Sequence, residues 1–341
     1  MKILFIGNLN KYTRSYQRFR AMVEMGYEVK GLSFEPIGTV AGITEDTRTL
    51  YQKVMNKLGH PLDITDVNGK MINEYNRIHY DLAWIEKGLM VKPKILNQIK
   101  EKVKTKLLFY SNDNMSKKHY QSRYFLQSIC IYDYIVIIKE YNADFFTIRG
   151  CKNVISVDRS YDKYYIKNRP DNTPYIYDVV FIGTYEKHRY KMLLELANEG
   201  ITVTVFGNNW PMYSNPFLNI MHRPIYGDEF IYVMHTSKII LNFLRKCNDD
   251  KTTGRTFEIP ASGSFMLSER TKEQLKYFEE GKESEFFGSK EELLEKSIYY
   301  LNHDEKRESI AREGRKRCVY SGYSHHDRLE YILSEINRTR N

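Results

Sequence analysis

The sequence has no run of 18 apolar residues, so no segment of it reads as a transmembrane helix. The opening "MKILFIGNLN" is too short in its apolar part for a signal peptide and reads as a first buried strand, which predicts a cytoplasmic chain. Cysteine is scarce. Cys130, Cys151, Cys247 and Cys318 are scattered, with no CxxC spacing and no histidine at a metal-ligand interval, which excludes a disulfide framework and a zinc site and leaves reduced thiols. The short nucleotide and hydrolase motifs are missing as well. There is no GxGxxG after an opening strand, no GxxxxGK[ST], no GxSxG and no HExxH. No D-x-D pair is available to hold a divalent ion on a nucleoside diphosphate, and adjacent Asp249 and Asp250 point their side chains apart. The expectation is a site with no metal ligands.

What is present is ample apolar content, 42% over 341 residues, enough for two cores of roughly 150 residues each. The net charge is +9, which favours a polyanionic partner: nucleotide phosphates, an anionic membrane face, or nucleic acid. The cations are spread over both halves without a helix-turn-helix or RNP-like pattern, so nucleic acid ranks last. The 28 tyrosines suit bases, sugars or headgroups equally.

Along the chain, short apolar runs alternate with helix-compatible segments. "KILFIG", "YEVKGLSF", "YDLAWIEK", "TKLLFYSND", "YDYIVIIK" and "NVISVD" read as strands of parallel βαβ units. Between the first two, Tyr12, Tyr16, Phe19 and Val23 form the predicted buried face of a helix closed by Gly26. The polar span from Gly38 to Asn76 reads as partly helical and suits an insertion. Arg159 to Tyr175, with two prolines and little periodicity, reads as a linker. The scheme then restarts with "YDVVFIGT", a helix closed by Gly200, "TVTVFGN", "SKIILNF" and "SFMLSE". Thr271 with Gln274 and Ser289 with Glu292 read as capping boxes. The α/β pattern thus predicts two Rossmann-like, doubly wound domains facing a central cleft. The expected bounds are 1–165, a linker at 166–176, 177–324, and a C-terminal helix at 325–341. In such sheets ligands lie beyond the carboxyl ends of the strands.

The densest chemistry is in "NDDKTTGRTFEIPASG". Thr253 and Gly254 at a helix start offer backbone N–H groups to an anion. Arg255 adds a fork of donors for phosphate. Glu258, one turn in, can accept both hydroxyls of a ribose. A plain interaction of Glu258 with the helix dipole, about 0.3–1 kcal/mol, explains the same spacing.

The second half resembles the CgeB-like spore-protein glycosyltransferases, within the group-1 retaining glycosyltransferases of GT-B architecture. The resemblance is carried by "DVVFIGTYEKHRYKMLLELANEGITVTVFGNNW", "SKIILNF", "GRTFEIPASGSFML" and the tail through "HHDRLEYIL", and covers about residues 177–333. The first half matches loosely, through "GYEV", "SND" and "YDYIVIIKE". The resemblance implies two acids with seven residues between them, here Asp250 and Glu258. Glu258 then binds the donor ribose, and Asp250, one carbon shorter than the usual glutamate, touches the transferred sugar. It also implies that Gly183 and Thr184 form the turn under the nucleotide, that Arg189 and Arg255 meet the diphosphate, and that Gly207, Asn208 and Trp210 of "FGNNW" flank the base. Gly263 matches the family's small residue, and the last helix crosses back to the first domain, which makes Arg328 structural.

In the first half, Lys11, Arg14, Arg18 and Arg20 read as a solvated helix face or as phosphate or acceptor contacts just beyond Gly7 and Asn8. Asp113, at a strand end, reads as a base or acceptor anchor, or else as a helix cap. His119, His222 and His235 read as surface or core residues. The implied activity is metal-independent glycosyl transfer from a nucleoside-diphosphate sugar, without a further cofactor, to a glycan, protein or lipid-linked acceptor, and peripheral contact with an anionic membrane face stays open. A non-catalytic nucleotide-sugar binder or structural protein, and a nucleotide-sugar epimerase, are the alternatives.

Overall fold

The computed structural model describes residues 1–38, 49–102, 104–213 and 215–338. The chain divides into two compact units. The first takes the chain up to Asp158 together with the segment from His325, and the second is Arg159–Ser324. In chain order the first unit holds β1 (Lys2–Gly7), α1 (Arg14–Glu24), β2 (Glu28–Ser33), α2 (Leu50–Lys57), α3 (Val67–Arg77), β3 (Leu82–Glu86), α4 (Pro93–Lys102), β4 (Lys106–Ser111), α5 (Arg123–Ser128), β5 (Tyr134–Ile137), α6 (Ala143–Thr147) and β6 (Val154–Ser156). The second holds β7 (Tyr177–Ile182), α7 (Lys187–Asn198), β8 (Val203–Phe206), β9 (Leu218–Ile220), α8 (Gly227–His235), β10 (Ser237–Asn242), α9 (Arg255–Ala261), β11 (Met266–Glu269), α10 (Gln274–Tyr277), β12 (Glu285–Phe287), α11 (Lys290–Leu301) and α12 (Asp304–Tyr320). The last helix, α13 (His325–Arg338), belongs to the first unit.

Each unit is built on a six-stranded parallel sheet, ordered β2-β1-β3-β4-β5-β6 in the first and β12-β11-β10-β7-β8-β9 in the second. Both orders reverse beside the unit's first strand, between β1 and β3 and between β7 and β10. These two places are where an open parallel sheet leaves a crevice beyond its carboxyl ends. The central strands are buried on both faces, so they read as continuous apolar runs. Helices α1 and α7 end in the same way. Gly26 and Gly200 lie at φ +83 and +79, and the next amide reaches back to Met22 and Leu196, respectively.

Several expectations are corrected here. The face that α1 buries is Ser15, Gln17, Arg18, Ala21 and Met22, whereas Val23 is 48% exposed. Hydrophobicity misplaced the face because a paired arginine, not an aromatic, occupies its centre. The span Arg159 to Tyr175, including 166–176, is not a free linker. Tyr161 and Tyr165 sit in the second unit's core with Val180 and Phe230, so the break falls after Asp158. In the polar span from Gly38 to Asn76, α3 buries Val67, Met71 and Tyr75 as an ordinary crossover helix; residues 39–48 lie outside the described residues. The Thr271–Gln274 pair is only half a capping box. The Thr271 hydroxyl accepts from the Gln274 amide, but the Gln274 side chain donates to the Glu269 carbonyl oxygen. Around Ser289, the Glu292 carboxylate takes the Gly288 amide instead of that of Ser289. Helix α13 packs Leu329, Ile332, Leu333 and Ile336 into the core formed with Ile3, Phe5 and Trp84. Arg328 there donates to Asp158 at 3.3 Å. Among the described residues no helix is long and apolar enough to cross a membrane.

Candidate active site

The carboxyl ends of β7, β8 and β10 approach one another through glycine. A β-carbon on Gly207 would lie 1.9 Å from the Gly183 carbonyl oxygen, so the loops after β7 and β8 touch backbone to backbone. The Gly183 amide donates to the Phe206 carbonyl oxygen at 2.8 Å, and the Trp210 indole N–H donates to the Gly183 carbonyl oxygen at 2.9 Å. Trp210 is therefore not a platform for a base. It is 5% exposed and packs edge-on against Phe181 and Tyr185. Asn208 is half-buried, its carbonyl oxygen accepting from the Tyr185 amide, and Thr184 is exposed. Because neither backbone can retreat cheaply, Gly207→Ala is expected to cost about 3 kcal/mol, the upper end for overpacking. Urea unfolding measures this, and a loss below about 1 kcal/mol would show that the two loops part easily.

Arg189 crosses the reversal point between β7 and β10. From the first turn of α7 its Nη1 donates to the Thr184 carbonyl oxygen at 2.8 Å and its Nη2 to that of Leu244 at 3.2 Å, with Glu186 3.1 Å away. It is 4% exposed, and burial lowers its pKa. The expected diphosphate contact does not match this geometry: the guanidinium ties two strand-end loops together instead of facing outward.

Helix α9 starts at the end of β10. The Thr253 hydroxyl donates to Asn242 Oδ1 at 2.8 Å, and the Thr253 amide is taken by Thr256 Oγ1 at 3.0 Å, so the expected free N–H at Thr253 is already used. Gly254 is the residue before the helix, in ordinary helical conformation. A buried polar network of Asn242, Thr256, Ser268 and Gln274, with contacts of 3.0–3.1 Å, fixes this first turn to the ends of β10 and β11. Glu258 projects from that turn with none of its surface exposed. Its carboxylate is held by the Arg255 guanidinium, which lies over the Phe230 ring of α8 at 4.1 Å. Tyr226 stands just before α8; burial raises its pKa and the Arg255 charge opposes that. The structure thus brings Arg255 and Glu258 together and closes one over the other.

Asp250, eight residues ahead of Glu258, is directed elsewhere. Its Oδ1 accepts from Arg159 at 2.8 Å and from Asn248 at 2.9 Å, and 2% of the side chain is exposed. Arg159 went unrecognised because the segment carrying it was read as a linker. A sugar contact for Asp250 therefore requires this pair to open first.

In the first unit, a β-carbon on Gly7 would meet Ser15 Oγ at 2.0 Å, so α1 packs hard on the end of β1. Asn8 Oδ1 accepts from the Asn10 amide at 3.0 Å and the Asn8 carbonyl oxygen accepts from Thr13, shaping the turn into α1. Asp113 caps no helix. It pairs with Lys87 across the neighbouring ends of β4 and β3. Arg18, expected on a basic face, pairs bidentately with Glu86.

Three histidines, buried His235 and His325 and half-buried His188, are expected to make the fold acid-sensitive. Burial lowers the pKa of His188 to about 4, and it lowers those of His235 and His325. Groups with depressed folded values take up protons first in the unfolded chain. Stability is therefore expected to fall as pH drops from about 6.5 toward 4. Glu292, held near 2 chiefly by Arg270, adds its loss only below about 4.5; buried Glu269, with a raised pKa, acts in the opposite direction. Urea midpoints at pH 7.5, 6 and 5 test this, and a flat series would show that the histidines protonate within the fold. Among the described residues, no three His, Cys, Asp or Glu side chains gather as a cation site.

The family model described as "Glycosyl transferase-like" matches residues 188–334. The chain is 21% identical over 211 residues to spore protein CgeB of Bacillus subtilis (strain 168). That match takes in 57% of this chain and 65% of the spore protein, under two thirds of the relative's length. In structure it is similar to sucrose-phosphate synthase from Thermosynechococcus elongatus, with TM-score 0.68 and 8% identity over 99% of this chain and 100% of that one. It is also similar to HepE of Anabaena, solved in complex with UDP and glucose, with TM-score 0.63 and 11% identity over 98% of this chain and 100% of that one. The architecture is the GT-B fold of glycosyltransferases.

Proposed function

We propose that this chain, which has the fold of a glycosyltransferase, moves a sugar from a nucleoside-diphosphate donor to a hydroxyl of a glycan, protein or lipid-linked acceptor, and that it is related to the CgeB-like glycosyltransferases. The observation that carries this reading is the Arg255–Glu258 pair, a fully buried carboxylate under a half-buried guanidinium at the carboxyl end of β10. A bound nucleotide offers each partner a better one. The diphosphate takes the Arg255 fork, and the released carboxylate accepts the two ribose hydroxyls. Negative charge then grows on the leaving phosphate beside a fixed cation, where one such donor contributes on the order of 2.7–4 kcal/mol. This arrangement needs no divalent ion and no further cofactor, and the resemblance to the group-1 family implies retention of configuration. The same reading puts the protein in the cytoplasm, and its excess of cations suits an acceptor at an anionic membrane face.

Asp250 favours a second reading. With its carboxylate engaged by Arg159 and Asn248, the chain is a nucleotide-sugar binder that does not transfer. A thermal-shift panel of UDP, GDP, ADP, TDP and CMP in excess EDTA tests the site, and release of nucleoside diphosphate from the matching donor sugar then separates the two readings. One nucleotide is expected to stabilise the wild type without metal. No shift with any of them overturns both readings, and a shift that requires added Mg²⁺ overturns metal independence.

A further inference from the structure

A cavity of about 540 Å³ lies at the other end of the second unit's sheet. Tyr175 just ahead of β7, Ser237 at the start of β10 and Gly263 ahead of β11 place it at the amino ends of these strands. Six strand residues, about 20 Å, separate that level from the carboxyl ends where Arg255 and Glu258 sit.

Its wall contains a buried arginine with open donors. Arg307 is 1% exposed. Its Nη1 donates to the Tyr300 carbonyl oxygen at 2.6 Å and to Asp304 at 2.7 Å, while Nε and Nη2 meet no acceptor. Nε and Nη2 share one edge of the guanidinium, the side-on fork that takes two oxygens of one oxyanion. Arg169 donates to the Thr173 carbonyl oxygen and likewise leaves its Nε without an acceptor. The two guanidinium groups lie 3.9 and 4.9 Å from the ring centroid of Tyr175, which stacks with them but leaves those N–H groups unmet. Leaving buried charged donors unmet is costly, and such groups are ordinarily satisfied by ordered water or a ligand.

The remaining charges are mixed. Lys238 and Arg312 also line the cavity, as do Asp171 and Glu308. Lys238 is paired with Asp178 at 2.8 Å, and Glu308 accepts the Tyr175 hydroxyl at 3.1 Å and lies 4.0 Å from Arg169 Nη1. The open hydrogen-bonding capacity of the two arginines is therefore all donor, and it asks for an acceptor-rich guest. The volume falls within the range of small-molecule sites.

We propose that this cavity binds a small phosphate-bearing metabolite, distinct from the sugar donor, with one phosphoryl group on the Nε/Nη2 edge of Arg307 and on Arg169 Nε. Arg312 offsets part of its remaining charge, Lys238 being already engaged by Asp178. Tyr175 lies against both guanidinium groups, so entry swings that ring and releases its hydroxyl from Glu308. The probe is inorganic pyrophosphate, titrated calorimetrically into the full chain. The wild type is compared with Arg169→Ala/Arg312→Ala, Arg307→Lys and the donor-site variant Arg255→Ala, each checked for folding by circular dichroism. Saturable binding is expected, weakened at least tenfold by the Arg169→Ala/Arg312→Ala change and by Arg307→Lys, and retained in Arg255→Ala. The first variant changes only partly exposed side chains, so the test stands if Arg307→Lys fails to fold. Absence of saturable binding overturns the assignment. So does binding that survives in Arg169→Ala/Arg312→Ala, or that Arg255→Ala abolishes, since the anion would then sit at the donor site or nowhere specific. Because Arg255→Ala is read separately, a failed donor site and a failed second site give different patterns.

Discussion

Glu86→Ala is expected to destabilise the protein by about 3–5 kcal/mol, the usual cost of stranding one member of a buried ion pair. Arg18 Nε and Nη2 reach the two Glu86 oxygens at 2.5 and 2.6 Å, and each side chain is 6% exposed. The Trp84 indole N–H donates to the same carboxylate at 3.1 Å, and Tyr110 lies 4.3 Å from the guanidinium carbon. Burial alone would lower the Arg18 pKa, but the Glu86 charge, with a smaller contribution from Tyr110, more than offsets it and the net shift is upward. Without Glu86 the guanidinium has no counter-charge and no route to water. The pair joins α1 to the carboxyl end of β3, at the reversal point of the first sheet. The control is Arg18→Met/Glu86→Leu, which removes both charges and keeps the volume. It should recover most of the loss, because a buried pair contributes little net stability against well-packed apolar residues. Urea unfolding decides. A loss below about 1 kcal/mol for Glu86→Ala would mean that water reaches the arginine.

The same pair shows where reading the sequence stops. Every central strand was legible, because a strand buried on both faces is an uninterrupted apolar run. So were the helix ends at Gly26 and Gly200, where the left-handed φ calls for glycine. The short strands β9 and β12 were not, since each is three residues that include a polar one, Asn219 and Glu285; β6, equally short, was legible only through the longer alternation of "NVISVD". Arg18 and Arg189 were both misread, the first as part of a solvated face or a phosphate or acceptor contact, the second as a phosphate ligand. Periodicity counts an arginine as outward-facing unless its partner is known, and Glu86 is 68 residues away while Leu244 is 55 away. Trp210 was read as flanking the base because "FGNNW" shows a loop but not the Gly183 carbonyl that the indole meets. At the candidate site, Arg255 and Glu258 lie one turn apart, so their meeting was legible from spacing. That the guanidinium closes over the carboxylate was not, because it depends on Phe230, supplied by another helix.

The Arg255–Glu258 pair also makes the sharpest prediction about function. If the diphosphate draws Arg255 away from Glu258, the two residues read different parts of the nucleotide. Arg255→Ala is expected to weaken nucleoside-diphosphate binding by roughly 10- to 100-fold, corresponding to a charge-assisted bond of about 1.5–3 kcal/mol. It should leave the matching nucleoside, which has no phosphate, bound as before or more tightly, because the carboxylate then needs no release. Glu258→Gln should weaken nucleoside and nucleoside diphosphate alike, by a similar factor, since the ribose is common to both. It keeps the side chain's volume at a position with no exposed surface, so stability should fall less than in Glu258→Ala, which leaves a cavity at a fully buried position as well. Calorimetric titration of the four combinations gives the test. Equal losses for nucleoside and diphosphate in Arg255→Ala would make the arginine a support for the carboxylate and not a phosphate ligand. Unchanged binding in folded Glu258→Gln would remove the ribose role and leave Glu258 as the buried counter-charge that positions Arg255.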